Sequence, residues 1–179
     1  MTENEMLALS RVEPFADSAL IDTRQLRFDP VFRRYCEQNA CGQYGANHSC
    51  PPDCGAPDEM FARLARFPRA LVLRSQWDIT DYNDLEAIER AKHAHNQAML
   101  RLVEQYRAAG HPGEMCGAGY CDLCPRCARL DDLPYRFPER RFSCLSAYCV
   151  YVRGLAESCG MDYFCRNGGI AFFGLYAFQ

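Results

Sequence analysis

The cysteines of this chain are grouped, and this grouping constrains the fold more than any other feature. The sequence has 12 cysteines in 179 residues. They occupy three segments, 36–54, 116–127 and 144–165, with four cysteines in each, and 55–115 contains none. The cysteine segments are rich in Gly, Pro and Asn, whereas the stretch between the first two has a regular hydrophobic pattern. The chain is therefore expected to form a folded scaffold that carries cysteine-bearing loops.

Length and composition predict one soluble domain covering 1–179. The length suits a single apolar core, and the 49% hydrophobic and 24% charged residues are typical of globular proteins. A net charge of -3 gives no general attraction to nucleic acid or anionic membranes. The acidic N-terminal segment lacks the apolar region of a signal peptide, and no later run approaches membrane-spanning length. We therefore expect a cytoplasmic protein. Its thiols would stay reduced there, so metal binding explains the cysteines better than disulfides.

Hydrophobic periodicity predicts an α/β or α+β domain, in which a sheet of about four or five strands is covered by helices. The more regular expected elements are a helix from Pro57 to just before Pro68, a strand over 70–77, a helix over about 81–109, a helix from Ser143, and a terminal hairpin of 161–165 and 170–178. Weaker patterns suggest short strands at 19–21 and 26–28 and a short helix at 31–36. The final strand is expected inside the sheet.

His93 and His95 fall on nearly opposite sides of the long helix, so they cannot share a metal, and both are expected to be solvated.

The most specific motif is GYCDLCPRC, in which Cys121, Cys124 and Cys127 are each separated by two residues. One curled loop can then deliver three thiolates to three corners of a 4Fe-4S cluster, as in bacterial ferredoxins. The ferredoxin position for another cysteine holds Asp131 here. For the fourth corner we favour Cys144, expected in the first turn of a helix where the dipole favours a thiolate, with Cys116 as the alternative.

A first site is expected from the segment CEQNACGQYGANHSCPPDC, whose glycines and prolines allow a tight path. Its ligands would be Cys36, Cys41, Cys50 and Cys54. His48 is a weaker ligand candidate, since a loop histidine of this kind is more often hydrogen-bonded. The remaining thiols are expected to be structural: Cys149, Cys159 and Cys165.

Three functions are compatible with these motifs. The first is a redox protein in which one or two 4Fe-4S clusters pass electrons to a partner protein. Five arginines follow the second site and could offset the charge of a cluster, form a docking patch for an acidic partner, or belong to a solvated basic loop: Arg126, Arg129, Arg136, Arg140 and Arg141. The second is an enzyme whose three-cysteine cluster leaves one iron open, with an acid or base among Glu114, Tyr120, Asp122 and Tyr135. The third is a zinc-stabilised interaction module. Three cysteines in one loop would crowd a single zinc ion, which favours clusters over zinc.

The chain resembles a family of bacterial and archaeal proteins described as predicted metal-binding proteins. The resemblance rests on the stretch from Cys41 to Pro52, on GYCDLCPRC and on the final FFGL strand. It implies metal or cluster binding through Cys36, Cys41, Cys50, Cys121, Cys124 and Cys127, and it implies no particular reaction. Family members carry a further cysteine after the CxxCxxC loop, where this chain has Tyr135. The resemblance thus leaves Cys144 or Cys149 for that role and Cys54 for completing the first site.

Overall fold

A computed structural model describes all residues, 1–179, and consists of a five-stranded sheet with helices on both faces. The predicted fold class is thereby confirmed. The strands are β1 (Phe15–Asp22), β2 (Arg69–Trp77), β3 (Gly113–Gly117), β4 (Ser143–Cys144) and β5 (Ile170–Phe178). The helices are α1 (Glu3–Leu9), α2 (Arg33–Glu37), α3 (Pro57–Ala65), α4 (Leu85–Ala108) and α5 (Val152–Ser158). No helix has the length and apolarity needed to cross a membrane.

The sheet has the strand order β1-β2-β5-β3-β4, so the C-terminal strand lies at its centre, as predicted. Strand β5 is antiparallel to both β2 and β3, whereas β3 and β4 form a short parallel pair. The apolar run of β5 suits this place, because a central strand covered on both faces buries successive side chains. Odd and even positions of β5 enter two separate apolar cores, exemplified by Leu175 on one face and Tyr176 on the other.

Helix α4 covers one face of the sheet, and α3 and α5 cover the other. Met99 and Val103 of α4 pack with Leu71 of β2 in the first core. Leu64 of α3 and Leu155 of α5 belong to the second core. The predicted helices at Pro57 and over 81–109 and the strand over 70–77 are confirmed, with bounds shifted by a few residues at most.

Two expected elements around the last cysteine group are absent. The helix expected from Ser143 is wrong: Ser143 and Cys144 pair with β3, and a turn follows in which Cys149 has a left-handed φ of 55°. Because that conformation interrupts a right-handed helix, α5 begins only at Val152. The expected hairpin is also wrong, since 161–165 forms no strand and β5 finds both partners elsewhere in the sheet.

The solvated position expected for His95 is wrong as well. His95 is fully buried between α4 and the sheet, whereas the side chain of His93 is half exposed. The Nδ1 atom of His95 lies 2.7 Å from the hydroxyl of Ser75 in β2. A polar partner on the facing strand therefore allows a histidine within the apolar stripe of the helix.

Of the weaker patterns, 19–21 lies inside β1, and 31–36 contains a 3-10 turn followed by α2. The strand expected at 26–28 is reduced to one bridge between Phe28 and Val150. This bridge holds the segment leading into α2 beside the turn that follows β4. The first and last cysteine groups are thereby brought together.

Candidate metal centre

Four cysteines from two of the three cysteine segments line one cavity of about 450 Å³. They are Cys36, Cys41, Cys50 and Cys144. Helix α2 carries Cys36, the following loop carries Cys41 and Cys50, and Cys144 ends strand β4. Since Cys144 is more than 90 residues beyond Cys50 in the sequence, only the tertiary fold unites this set.

The thiols of Cys36 and Cys144 interact directly, and this interaction polarises the pair. Cys36 and the backbone N–H groups of Ala147 and Ser146 lower the pKa of Cys144 to about 7, against the opposing effect of burial. The N–H of Ala147 lies 3.3 Å from the Cys144 sulfur. The same pairing and burial raise the pKa of Cys36. A thiol must lose its proton to bind a metal, and Cys144 is the member of the pair whose thiolate is stabilised by the backbone.

A buried lysine forms part of the wall of this cavity. The side chain of Lys92, on α4, is only 8% exposed and pairs with Glu89. Its ammonium nitrogen lies 3.9 Å from the centre of the Tyr120 ring, and the Tyr120 hydroxyl donates to Glu89. Because Glu89 also lines the cavity, the wall carries an ion pair beside the four cysteines.

Cys54, predicted for the first site, lies outside the wall of this cavity. It is 4% exposed and packs in the apolar core with Met60 and Leu64 of α3. Burial is the main cause that raises its pKa. Its surroundings are those of a structural thiol.

The second cavity contains the CxxCxxC loop and has a volume of about 430 Å³. Cys121, Cys124 and Cys127 all line it, as their spacing predicts for a single site, and no other cysteine does. Cys144, proposed from the sequence as the fourth corner here, is placed in the first cavity instead. Cys116, the alternative, is fully buried in β3.

Tyr135 stands in the second cavity where the family resemblance leads one to expect a cysteine. Its hydroxyl lies 2.7 Å from the sulfur of Cys121. Burial and this contact raise the pKa of Tyr135, so the phenol keeps its proton. His48 also lines the cavity, and its Nε2 lies 2.8 Å from the carbonyl oxygen of Leu133. A hydrogen-bonded His48 agrees with the expectation from the sequence.

The two cavities are neighbours joined by buried polar residues. Tyr120 lines both cavities. Ser49, next to Cys50, accepts a hydrogen bond from the backbone N–H of Cys121 at 3.0 Å. The side chain of Asn47 bonds to Ser49 and donates to the Cys121 carbonyl at 2.9 Å. Because Asn47 and Ser49 are buried, this link fixes the two cysteine loops relative to each other.

Sequence reasoning missed Asn47, Ser49, Lys92 and Asn96 as parts of the site. Asn96 bonds to both the N–H and the carbonyl of Ala118, each at 2.9 Å, and so holds the CxxCxxC loop against α4. Lys92 and Asn96 stand four residues apart and continue the buried stripe of α4 towards Met99. Polar residues at core positions of an amphipathic helix were the available signal.

The candidate acids and bases are not gathered at one place. Tyr120 lines both cavities and Tyr135 the second, whereas Glu114 accepts a hydrogen bond from Tyr148 outside both. Asp122 lies 3.0 Å from Nδ1 of the half-exposed His93. No arrangement of nucleophile, base and orienting group emerges from these residues.

The cysteines of both sites line cavities. No group of three or more His, Cys, Asp or Glu side chains is arranged to hold one metal ion.

Comparison with known proteins gives one result. No curated protein and no solved structure shows significant similarity to the chain. A family model described as "predicted metal-binding protein" (DUF2284) matches residues 19–176, a range that includes both cysteine cavities. The chain therefore belongs to the DUF2284 family of predicted metal-binding proteins.

Proposed function

We propose that this protein is an iron–sulfur protein whose first cavity holds a 4Fe-4S cluster through Cys36, Cys41, Cys50 and Cys144. The observation that carries the proposal is the meeting of these four thiols around one space of about 450 Å³. Four cysteine thiolates are the usual ligand set of a 4Fe-4S cluster. Cys144 replaces Cys54 in the ligand set, because Cys54 is packed in the apolar core.

The surroundings of the first cavity support electron transfer with a partner protein. A cluster bound there would accept and release single electrons. Cys41 is exposed, while Cys50 is buried, so one edge of the site faces the surface and the rest is enclosed. An exposed edge lets a partner approach closely. The wall of the cavity carries the ion pair of Lys92 and Glu89, two opposite charges that balance each other.

The second cavity supports a second cluster, bound by Cys121, Cys124 and Cys127. With three protein thiolates, such a site would leave one iron accessible, as an enzyme with Lewis-acid chemistry requires. This is the second candidate function, and the cavity beside the three cysteines favours it. The link through Ser49 would place this cluster next to the first.

The test of the proposed function is the iron and acid-labile sulfide content, with a visible spectrum, of protein purified without oxygen. We expect brown protein with iron and sulfide in equal amounts, about four of each per cluster. Cys144→Ala should lose the equivalent of one cluster, because it removes one corner of the first site. Zinc without sulfide in the wild type would contradict the proposal and leave a zinc-stabilised module.

Two variants serve as controls for Cys144→Ala. Cys159→Ala removes a thiol that packs against the core and lines neither cavity, and should keep the full iron content. Cys54→Ala distinguishes the two ligand sets for the first site. It should retain iron while lowering stability, because its thiol packs in the core. Loss of iron in Cys54→Ala with retention in Cys144→Ala would reverse the assignment.

A further inference from the structure

We infer that the second cavity binds a small carboxylate ligand at the corner that its three cysteines leave without a protein ligand. The inference rests on the proposed function, because it requires a cluster in that cavity. It goes further in naming the occupant of the open corner. The argument depends on the cavity wall, on the engagement of Tyr135 and His48, and on the charges that face the cavity.

No fourth thiol is available to the second cavity. The nearest cysteines along the chain are Cys116, buried in the core, and Cys144, in the first cavity. Cys149, which the family resemblance also leaves as a candidate, is fully buried and does not line the second cavity. The ligand set of this site therefore ends at three thiols.

The other lining side chains able to bind iron, two tyrosines and one histidine, are already engaged. The Tyr120 hydroxyl donates to Glu89. The Tyr135 hydroxyl lies 2.7 Å from the Cys121 sulfur, so it contacts one ligand of the site and does not stand at a separate corner. The Nε2 atom of His48 is held 2.8 Å from the carbonyl oxygen of Leu133. The fourth corner is thus left to a molecule from outside the chain.

The charges in the cavity wall favour an anion. Arg126 and Arg136 line the cavity, and no Asp or Glu does. Arg126 pairs with Asp131, whereas Arg136 forms no close ion pair and donates one hydrogen bond to the carbonyl of Arg126 at 3.1 Å. The charge of Arg136 also helps to lower the pKa of Asp131, after the larger effect of Arg126. A guanidinium that donates to no carboxylate is suited to bind one through two parallel hydrogen bonds.

The size of the cavity limits the ligand to a small molecule. A volume of about 430 Å³ falls towards the lower end of the range for small-molecule sites, and a cluster would take part of it. A ligand with one carboxylate oxygen for the open iron and another oxygen for Arg136 fits both features. The open iron would act as a Lewis acid towards that oxygen.

Citrate is the probe, and the readout is the EPR spectrum of the chemically reduced protein. In the wild type, citrate should change the signal of the second cluster in a saturable way. Arg136→Gln should keep both clusters and require about tenfold more citrate, the loss expected for one charge-assisted hydrogen bond. Tyr135→Phe should keep the response, because the phenol is not the ligand at the open corner.

Tyr135→Cys is the decisive variant, since it offers a thiol at the position where the family carries one. Its thiolate should occupy the open corner and abolish the response to citrate while iron content stays constant. Absence of any citrate response in wild type that holds both clusters would overturn the inference. A response unaffected by both Tyr135→Cys and Arg136→Gln would overturn it as well.

Iron content separates the failure of this inference from the failure of the proposed function. Cys124→Ala removes one thiol of the second cavity and should lose about four iron atoms per chain, together with the citrate response. Wild type without iron and sulfide would contradict the proposed function itself. Wild type with iron that Cys124→Ala fully retains would overturn the inference and leave the first site unaffected.

Discussion

At the scale of single residues, buried polar side chains organise both the core and the cysteine loops. His95 is the clearest case in the core. Trp77 donates its indole N–H to the Ser75 hydroxyl at 2.9 Å, and the same hydroxyl lies 2.7 Å from Nδ1 of His95. The other ring nitrogen, Nε2, is buried and has no hydrogen-bond partner. His95 is therefore neutral in the folded protein, and burial lowers its pKa to about 3.

Replacing His95 should change how stability depends on pH. In the unfolded chain His95 takes up a proton as the pH falls through about 6.5, whereas in the folded protein it does so only near pH 3. Stability from this group is therefore complete above about pH 6.5 and falls as the pH decreases, by up to about 1.4 kcal/mol per unit. Between pH 6.5 and 4.5, the free energy of unfolding should fall less steeply with decreasing pH in His95→Gln than in the wild type. The difference in slope should approach about 1.4 kcal/mol per pH unit, the effect of one proton. Denaturant titrations at a series of pH values give both slopes. Identical slopes in the two proteins would contradict a buried, neutral His95.

At the scale of elements, the contact between α4 and β5 is close because glycine interrupts an otherwise bulky strand. Gly174 of β5 lies opposite Met99 and His95 of α4. A methyl group at Gly174 would lie 2.5 Å from the Met99 sulfur and 2.9 Å from Nε2 of His95. These separations are shorter than any ordinary contact, so the Met99 and His95 side chains would have to shift within a closely packed core.

Gly174→Ala should therefore destabilise the protein by about 1 to 3 kcal/mol, the usual cost of overpacking a core. The measurement is the free energy of unfolding in denaturant. Met99→Ala removes the side chain nearest to the new methyl group, so the two substitutions should be less damaging together than the sum of their separate effects. Strictly additive changes in the free energy of unfolding would show that contact with Met99 is not the cause of the destabilisation in Gly174→Ala.

At the scale of the whole molecule, a regular scaffold and irregular cysteine segments differ in what stabilises them. Strand β2 and helix α4 are held by long runs of backbone hydrogen bonds and by the apolar cores. The segments 36–54 and 119–149 contain mostly turns and short helices, and they converge on the two cavities. Metal bound by their cysteines would stabilise the folded arrangement of these segments.

Removing the metal should loosen the cysteine segments more than the scaffold. After chelation under reducing conditions, amide hydrogen exchange should rise in 36–54 and 119–149 and stay low in β2 and α4. Mass spectrometry of peptic fragments gives the comparison segment by segment. A uniform rise across all segments would show that the metal stabilises the whole domain cooperatively.

The sequence alone determined the elements whose hydrophobic pattern is strong, together with the grouping of Cys121, Cys124 and Cys127. Strand β2, helix α4 and strand β5 were predictable because local periodicity decides which of their faces is buried. Strands β3 and β4 were not, since they are short and gain their hydrogen bonds from distant partners.

The tertiary structure decided which cysteines stand together. The parallel pairing of β4 with β3 places Cys144 opposite Gly117, and the Phe28 bridge brings the segment before α2 to the same region. Cys144 thereby joins Cys36 around the first cavity, although its sequence position had suggested the second. Local spacing cannot settle such an assignment, because the order of strands in a sheet depends on contacts between residues far apart in the chain.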